Sequence, residues 1–197
     1  MKIQIRSGVF ETNSSSMHSL VIKKCDDYIL PEEIAETRLN KDKKIRFWRE
    51  EDLEFGRYPF KVLFDFRKKL AYAIASLCNW RHSKEKTFAG IERVVMEIVP
   101  GCEGIELPCH HWYGNEEPET YYGHVDENIL SPFLKKRGIS LKEFLTNKKY
   151  MVIVDGDEYC IWEDMKKEGL INRGAIEAEF GSYELIYRKD GEDDRTS

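Results

Sequence analysis

The side chains with the most evident chemistry in this sequence lie in a polar stretch near the N-terminus, at residues 6–19. The central part of this stretch, which we call the Ser-rich loop, consists of Thr12, Asn13, Ser14, Ser15 and Ser16. Hydroxyl and amide side chains of this kind hydrogen-bond the local backbone and leave N–H groups and hydroxyls facing outward, which suits an anion or a sugar hydroxyl. Arg6 adds a guanidinium before the loop, and His18 adds an imidazole after it. The sequence therefore predicts a loop that binds phosphate or a nucleotide.

The same stretch allows two other interpretations. A serine hydroxyl near the imidazole of His18 fits a nucleophile with its general base, which would make the protein an enzyme. Alternatively, the Ser, Thr and Asn side chains cap the backbone of an ordinary turn and bind nothing. The unusual density of small polar residues favours binding over a simple turn. The sequence leaves open whether a reaction, such as hydrolysis, follows binding.

A second group of side chains with metal-binding or acid–base chemistry lies in the middle of the chain. Its members are His110, His111, His124, Asp126 and Glu127. Histidine and carboxylate ligands suit zinc, manganese or iron, and a His-x-Asp pair on a strand points both side chains to one face. The spacing matches no metal motif, so no cofactor is predicted and a metal-binding role stays open. We expect His124 or Asp126 to approach Arg6 and the Ser-rich loop instead.

A basic stretch at residues 43–49 alternates cationic and apolar side chains with a period of two. This alternation predicts a strand with one basic face. Solvation is the simpler role for that face, and contact with phosphate is the alternative.

The stretch at residues 6–19 has the sequence R-x-G-V-F-E-T-N-S-S-S-x-H-S and resembles the opening of an uncharacterised family of proteins from phages and prophages of Gram-positive bacteria. The resemblance is specific over these fourteen positions. A second correspondence, at residues 122–126, has His and Asp in the opposite order from the family. The resemblance implies a phage-type protein in the cytoplasm of the bacterial host cell. It implies no established activity.

The composition is that of an ordinary globular protein, with 197 residues of which 41% are apolar and 34% charged. We expect one domain over residues 1–188, followed by a disordered polar tail at 189–197. The five cysteines are scattered without a Cys-x-x-Cys pair, which predicts free thiols.

Charge and hydropathy limit the partners that we expect. The formal net charge of -5 argues against an extended nucleic-acid surface, because proteins that coat nucleic acid carry an excess of Lys and Arg. No segment approaches the roughly 18 consecutive apolar residues that indicate a membrane span. We therefore expect no membrane association.

The apolar patterns predict the elements that position these side chains. Strands are expected at 2–6, 17–22, 150–154 and 183–188. Helices are expected over 60–77, between Ser83 and Pro100, over 129–137 and from Ser140 to Leu145. The expected fold is an α+β domain whose mainly antiparallel sheet has about five or six strands, including both termini, with the helices packed on one face.

Two classes of function fit this sequence. The first is a phage- or prophage-type accessory protein with a nucleotide or phosphate site on the Ser-rich loop. The second is a counter-defence inhibitor, similar in role to anti-CRISPR proteins, that binds a host defence nuclease or another host protein without catalysis. The acidic balance favours the second, because acidic inhibitors can occupy nucleic-acid channels of their targets. Convergence of Arg6, the serines and His124 on one pocket would favour the first.

Overall fold

The computed structural model of the protein describes residues 17–23, 34, 37–56, 61–79, 83–110, 117–126, 128–155 and 176–181. This part of the chain contains α1 (Phe66–Asn79), α2 (Lys84–Ile98), α3 (Leu130–Arg137), α4 (Leu141–Thr146) and a 3-10 helix (Glu50–Leu53). None of the helices described here is long and apolar enough to cross a membrane. The strands predicted at 2–6 and 183–188, and the tail at 189–197, lie outside the described residues.

The described strands are short and form several small sheets. They are β1 (Met17–Lys23), β2 (Lys44–Arg46), β3 (Glu54–Phe55), β4 (Lys61–Leu63), β5 (Gly104–Glu106), β6 (Cys109–His110), β7 (Glu119–Thr120), β8 (His124–Val125), β9 (Tyr150–Asp155) and β10 (Ile176–Gly181). One sheet has four antiparallel strands in the order β10-β1-β9-β4. The other strands form two-stranded sheets: β2 with β5 and β3 with β8 in parallel, and β6 with β7 antiparallel.

The predicted architecture, one mainly antiparallel sheet of about five or six strands with the helices on one face, is wrong. The described strands divide among four sheets, two of which are parallel. Parallel pairs need long crossover connections, and here β2 reaches β5, and β3 reaches β8, across the segment that contains α1 and α2. The helices gather around α1, which contacts α2, α3 and α4 as well as β3 and β8. Alternation of apolar and polar residues predicts where strands lie, but it does not predict which strands pair when the partners are distant in sequence.

Capping residues set the boundaries of the two short helices. α3 is followed by Gly138, which has a φ of 66° and donates its N–H to carbonyls of the last turn. α4 begins after Ser140, whose hydroxyl accepts the N–H of Glu143 at 3.1 Å. The predictions of α2, α3 and α4 are confirmed to within a few residues at each end.

The core helix α1 begins later than its predicted start at residue 60. Residues Lys61–Leu63 form β4 instead, which pairs with β9. Asp65 then accepts the N–H of Lys68 at 2.8 Å through its side chain and caps the helix. The apolar spacing thus predicts the body of the helix correctly, but strand pairing takes the residues before Asp65.

α1 is buried on most of its surface, as expected of a central helix. Its buried residues are Phe66, Lys69, Leu70, Ala71, Tyr72, Ala73, Ile74, Ala75, Ser76 and Cys78. Lys69 is the unexpected member of this set, because a lysine is rarely buried in full. Its ammonium donates hydrogen bonds to the carbonyls of Phe144, Asn147 and Tyr150. Lys69 therefore ties α1 to the end of α4 and the start of β9.

Three of the five cysteines lie in the described part of the chain, and all three are free thiols, as predicted: Cys78, Cys102 and Cys109. Cys25 and Cys160 lie outside it. Burial raises the pKa of the Cys78 thiol to about 12, so this thiol stays protonated and unreactive at neutral pH.

Candidate functional site

Most of the predicted anion-binding residues of the N-terminal stretch lie outside the described part of the chain. These residues are Arg6, Thr12, Asn13, Ser14, Ser15 and Ser16. His18 lies in β1, where its backbone is opposite Val154 of β9 in the antiparallel register. The binding role of this stretch, and its meeting with His124 or Asp126, therefore stay predictions.

His124 and Asp126 lie in and just after β8, and His124 is opposite Glu54 in the parallel register with β3. The Nε2 atom of His124 is 3.0 Å from Oδ1 of Asp126. The His124 side chain is 50% exposed and that of Asp126 is 18% exposed. The carboxylate orients the imidazole, and an imidazole held in this way suits a general base. The two side chains are thus in contact, in keeping with the His-x-Asp pattern.

Close packing against α1 positions β8 and this pair. The side-chain amide of Asn79 donates to the carbonyl of Val125 at 3.2 Å. Gly123 has a φ of 92°, and a Cβ at this position would lie 2.6 Å from the carbonyl oxygen of Leu53 and 2.8 Å from the Cβ of Ala75. Glycine is the residue that tolerates both this backbone conformation and this approach. The His124–Asp126 pair is therefore held by the 3-10 helix and by α1.

Another histidine of the predicted group has a different partner. The Nδ1 atom of His110 is 2.7 Å from Oε2 of Glu50, and its ring centroid is 5.6 Å from that of Tyr121. His111 and Glu127 lie outside the described residues. Among the residues that the structure describes, no group of three or more His, Cys, Asp or Glu side chains is arranged to hold a metal ion.

A cavity of about 620 Å³ opens near β2 and the N-terminal end of α1. We call it the basic cavity; its lining residues are Thr37, Arg38, Leu39, Asn40, Arg46, Trp48, Asp65, Phe66 and Arg67. Three of these residues are arginines and one is acidic, in a chain whose formal net charge is -5. The acidic residue, Asp65, is itself 3.1 Å from the ammonium of Lys68. The lining therefore offers an excess of positive charge to an anionic ligand.

The basic stretch of the sequence supplies two of the lining residues. Ile45 and Phe47 are buried, so the alternating Arg46 and Trp48 lie on the opposite face and line the cavity. The strand predicted over residues 43–49 is thus confirmed only for Lys44–Arg46, on which the exposed Lys44 and the half-buried Arg46 flank the buried Ile45. Arg67 joins that face from the first turn of α1, and no local feature of the sequence signals this meeting.

A chain of contacts fixes the indole of Trp48. The Cζ atom of Arg46 lies 3.7 Å from the centroid of the Trp48 ring. The Nε atom of Arg46 is 3.1 Å from one carboxylate oxygen of Glu106, its neighbour in the β2–β5 pair. The side-chain amide of Asn40 donates to the other oxygen of that carboxylate at 2.6 Å. Arg46 is therefore held by Glu106 and in turn holds the ring of Trp48.

Arg67 is half-buried and is one of the lining residues of the basic cavity. Its Cζ atom lies 4.6 Å from the centroid of the Phe47 ring, and it donates a hydrogen bond to the carbonyl of Arg46. Burial lowers the pKa of Arg67, and the charges of Asp52 and Asp65 oppose that shift. Arginine remains charged at neutral pH even so, and its guanidinium has five N–H donors. Arg67 is thus a partly desolvated cation with donors beyond the one that Arg46 accepts.

Comparison of the chain with protein-family models, with curated proteins and with solved structures finds no match. The assignment of a function therefore rests on the chemistry of the residues themselves. In the described part of the chain, such chemistry is offered by the basic cavity and by two imidazole–carboxylate pairs, His124–Asp126 and His110–Glu50.

Proposed function

We propose that this protein binds a small phosphorylated ligand in the basic cavity. The observation that carries the proposal is the gathering of Arg38, Arg46 and Arg67 in the lining of one cavity, with Asp65 as the single acid among the described lining residues. Arginine suits phosphate because its planar guanidinium can donate two parallel, charge-assisted hydrogen bonds.

The three arginines contribute to this site in different ways. The guanidinium of Arg46 is engaged by Glu106, so its role is mainly to hold the lining in place. Arg67 is half-buried, and a charge that has lost part of its hydration interacts more strongly with a ligand than a charge in open water. Arg38 is exposed and adds charge at the rim. We therefore assign the main phosphate contact to Arg67 and a supporting contact to Arg38.

The size of the cavity favours a small molecule. Its volume of about 620 Å³ falls within the roughly 300–1,000 Å³ that is usual for sites of small ligands and cofactors. His124 and Asp126 are not among the lining residues. The proposal is therefore one of binding, with no reaction assigned to the cavity.

Replacing Arg67 with alanine is expected to weaken binding of a phosphorylated ligand by about 1.5–3 kcal/mol, the usual contribution of a hydrogen bond to a charged group. Replacing Arg38 is expected to have a smaller effect in the same direction, because its exposed charge is screened by salt. Calorimetry with ribose 5-phosphate as the probe measures both changes.

Arg93→Ala is the matched control for these variants. Arg93 is exposed on α2 and does not line the cavity, so its removal changes the net charge equally without touching the proposed site. Affinities of the Arg38→Ala and Arg67→Ala proteins equal to that of the wild type would rule out the basic cavity as the phosphate site.

The Ser-rich loop is a separate proposal, and its support is the run of hydroxyls between Arg6 and His18. If the loop binds an anion, Arg6→Ala should weaken binding of nucleotides or phosphoesters by about 1.5–3 kcal/mol. Lys41→Ala, an exposed change, should have little effect. Calorimetry over a panel of such ligands provides the test, and unfolding of Arg6→Ala in place of weaker binding would mean that the loop is structural.

The cellular role that we propose is that of a phage-type accessory protein, on the strength of the resemblance at residues 6–19. The inhibitor hypothesis has the same resemblance in its favour, together with the formal net charge of -5. If the wild type binds none of the phosphorylated probes, the inhibitor hypothesis becomes the leading one. Its test is direct binding to purified host defence nucleases, which charge complementarity would favour.

A further inference from the structure

We infer that the indole of Trp48 is a stacking platform for an aromatic base, and that the phosphorylated ligand of the basic cavity is therefore a nucleotide. The inference rests on the proposed function, because it names the chemical class of ligand for that same cavity. Trp48 lines the cavity together with Arg38 and Arg67. One ligand can thus contact the ring and both of these guanidinium groups.

The ring of Trp48 is open to a ligand. The relative exposure of Trp48 as a whole residue is 66%, the highest among the large exposed hydrophobic residues of the described chain. The guanidinium of Arg46 covers one face of the ring, with its Cζ atom 3.7 Å from the centroid. The exposed surface therefore belongs mainly to the other face, which is where a planar group would stack.

The ring is also held in place before any ligand binds. Arg46 is paired with Glu106, which accepts a hydrogen bond from Asn40. A ligand that stacks on a ring held in this way does not have to order a mobile side chain, and this favours binding. Phe64 offers a contrast, because it is 49% exposed and is not among the lining residues of the cavity. The ammonium of Lys68 lies 5.6 Å from the centroid of its ring, compared with 3.7 Å for Arg46 and Trp48.

The combination of a ring and cations distinguishes a nucleotide from simpler phosphates. A sugar phosphate can contact the arginines but leaves the open face of Trp48 in water. A nucleotide uses both, and stacking on an aromatic side chain tolerates any base because every base has a π-face. A preference for nucleotides over sugar phosphates, with weak discrimination among bases, is thus the signature of this platform.

Isothermal titration calorimetry of the full chain with AMP and with ribose 5-phosphate tests the inference. The wild type is expected to bind AMP at least about fivefold more tightly than ribose 5-phosphate, the lower end of what stacking contributes. Trp48→Ala is expected to remove this difference, because the variant loses the stacking surface that a base can use and a sugar phosphate cannot. Trp48→Phe should retain most of the difference. Phe64→Ala is the matched control and should bind both probes as the wild type does.

The possible failures of this experiment are distinguishable. Equal affinities of the wild type for AMP and ribose 5-phosphate would overturn the stacking platform and leave the phosphate site standing. A Trp48→Ala protein that still prefers AMP would overturn the assignment of the platform to Trp48. Absence of binding for both probes would overturn the proposed function together with this inference. Because Trp48 is exposed, circular dichroism is expected to show that its variants fold normally.

Discussion

Replacement of Lys69 with methionine is expected to lower the free energy of unfolding by about 3 kcal/mol. The ammonium of Lys69 donates to the carbonyls of Phe144, Asn147 and Tyr150 at 2.6, 2.9 and 3.3 Å. A buried carbonyl left without a donor costs about 1–3 kcal/mol. Methionine is similar in length to lysine and carries no charge, so the variant avoids the free-energy cost of burying an ammonium. This gain offsets part of the cost of leaving three carbonyls without their donor. The net effect is therefore a fraction of the summed cost, and its sign is destabilising.

Urea unfolding of the wild type and of Lys69→Met measures this change, and Lys68→Met is the matched control on the same helix. Lys68 is exposed, and its ammonium lies 3.1 Å from a carboxylate oxygen of Asp65 and 5.6 Å from the centroid of the Phe64 ring. An exposed ion pair contributes about 0–1 kcal/mol. A Lys69→Met protein as stable as the Lys68→Met protein would show that the three carbonyls find other donors. In that case Lys69 does not tie α1 to α4.

The same lysine is expected to make stability depend on pH. Burial lowers the pKa of Lys69 from its ordinary value of 10.5 to about 7, with the charge of Asp65 acting in the opposite direction. Between these two values the unfolded chain binds more protons than the folded one, so stability rises with pH. Below pH 7 both states are protonated and the cost of burying the charge is present in full. The difference in unfolding free energy between wild type and Lys69→Met should therefore be larger at pH 9.5 than at pH 6.5.

The bodies of the helices and the ends of the two short helices were the part of the fold most accessible from the sequence, because their signals are local. Gly138 ends α3 and Ser140 begins α4 through contacts within a few residues. Strand pairing has no such local signal. β2 precedes α1 and α2 in the sequence and β5 follows them, so the register of this pair depends on tertiary contacts between distant segments. Alternation predicts that residues 44–46 form a strand, but it does not predict which segment pairs with them.

The residues of the candidate site also include some that the sequence signals and some that it does not. Arg46 and Trp48 belong to a basic alternation that is visible in the sequence, and the structure places both in the lining of one cavity. Arg67 joins them from α1 and Arg38 from the segment before β2, contacts that depend on tertiary packing. The burial of Lys69 could not be predicted from the sequence either. A lysine is usually solvated, and the three carbonyls that accept its hydrogen bonds are distant in sequence.

Replacement of Gly123 with alanine is expected to lower the free energy of unfolding by about 2–4 kcal/mol, because overpacking and an unfavourable backbone conformation both contribute. The new Cβ would lie 2.6 Å from the carbonyl oxygen of Leu53, and the backbone has a φ of 92°. A backbone carbonyl in the 3-10 helix cannot move aside as the end of a flexible side chain can. The added methyl should therefore push β8 away from α1 and displace His124 and Asp126.

Gly90→Ala is the control: it is the same chemical change, but it is expected to raise the free energy of unfolding instead of lowering it. Gly90 lies within α2, is exposed, and would place its Cβ with nothing within 4 Å. Alanine is the better helix former by about 0.8–1.0 kcal/mol, so this variant should be more stable than the wild type in the same urea experiment. Equal stabilities of Gly123→Ala and wild type would mean that the contact between β8 and the 3-10 helix is loose. The His124–Asp126 pair would then have no rigid support from the 3-10 helix, and its position would depend on the hydrogen bond from Asn79 to Val125.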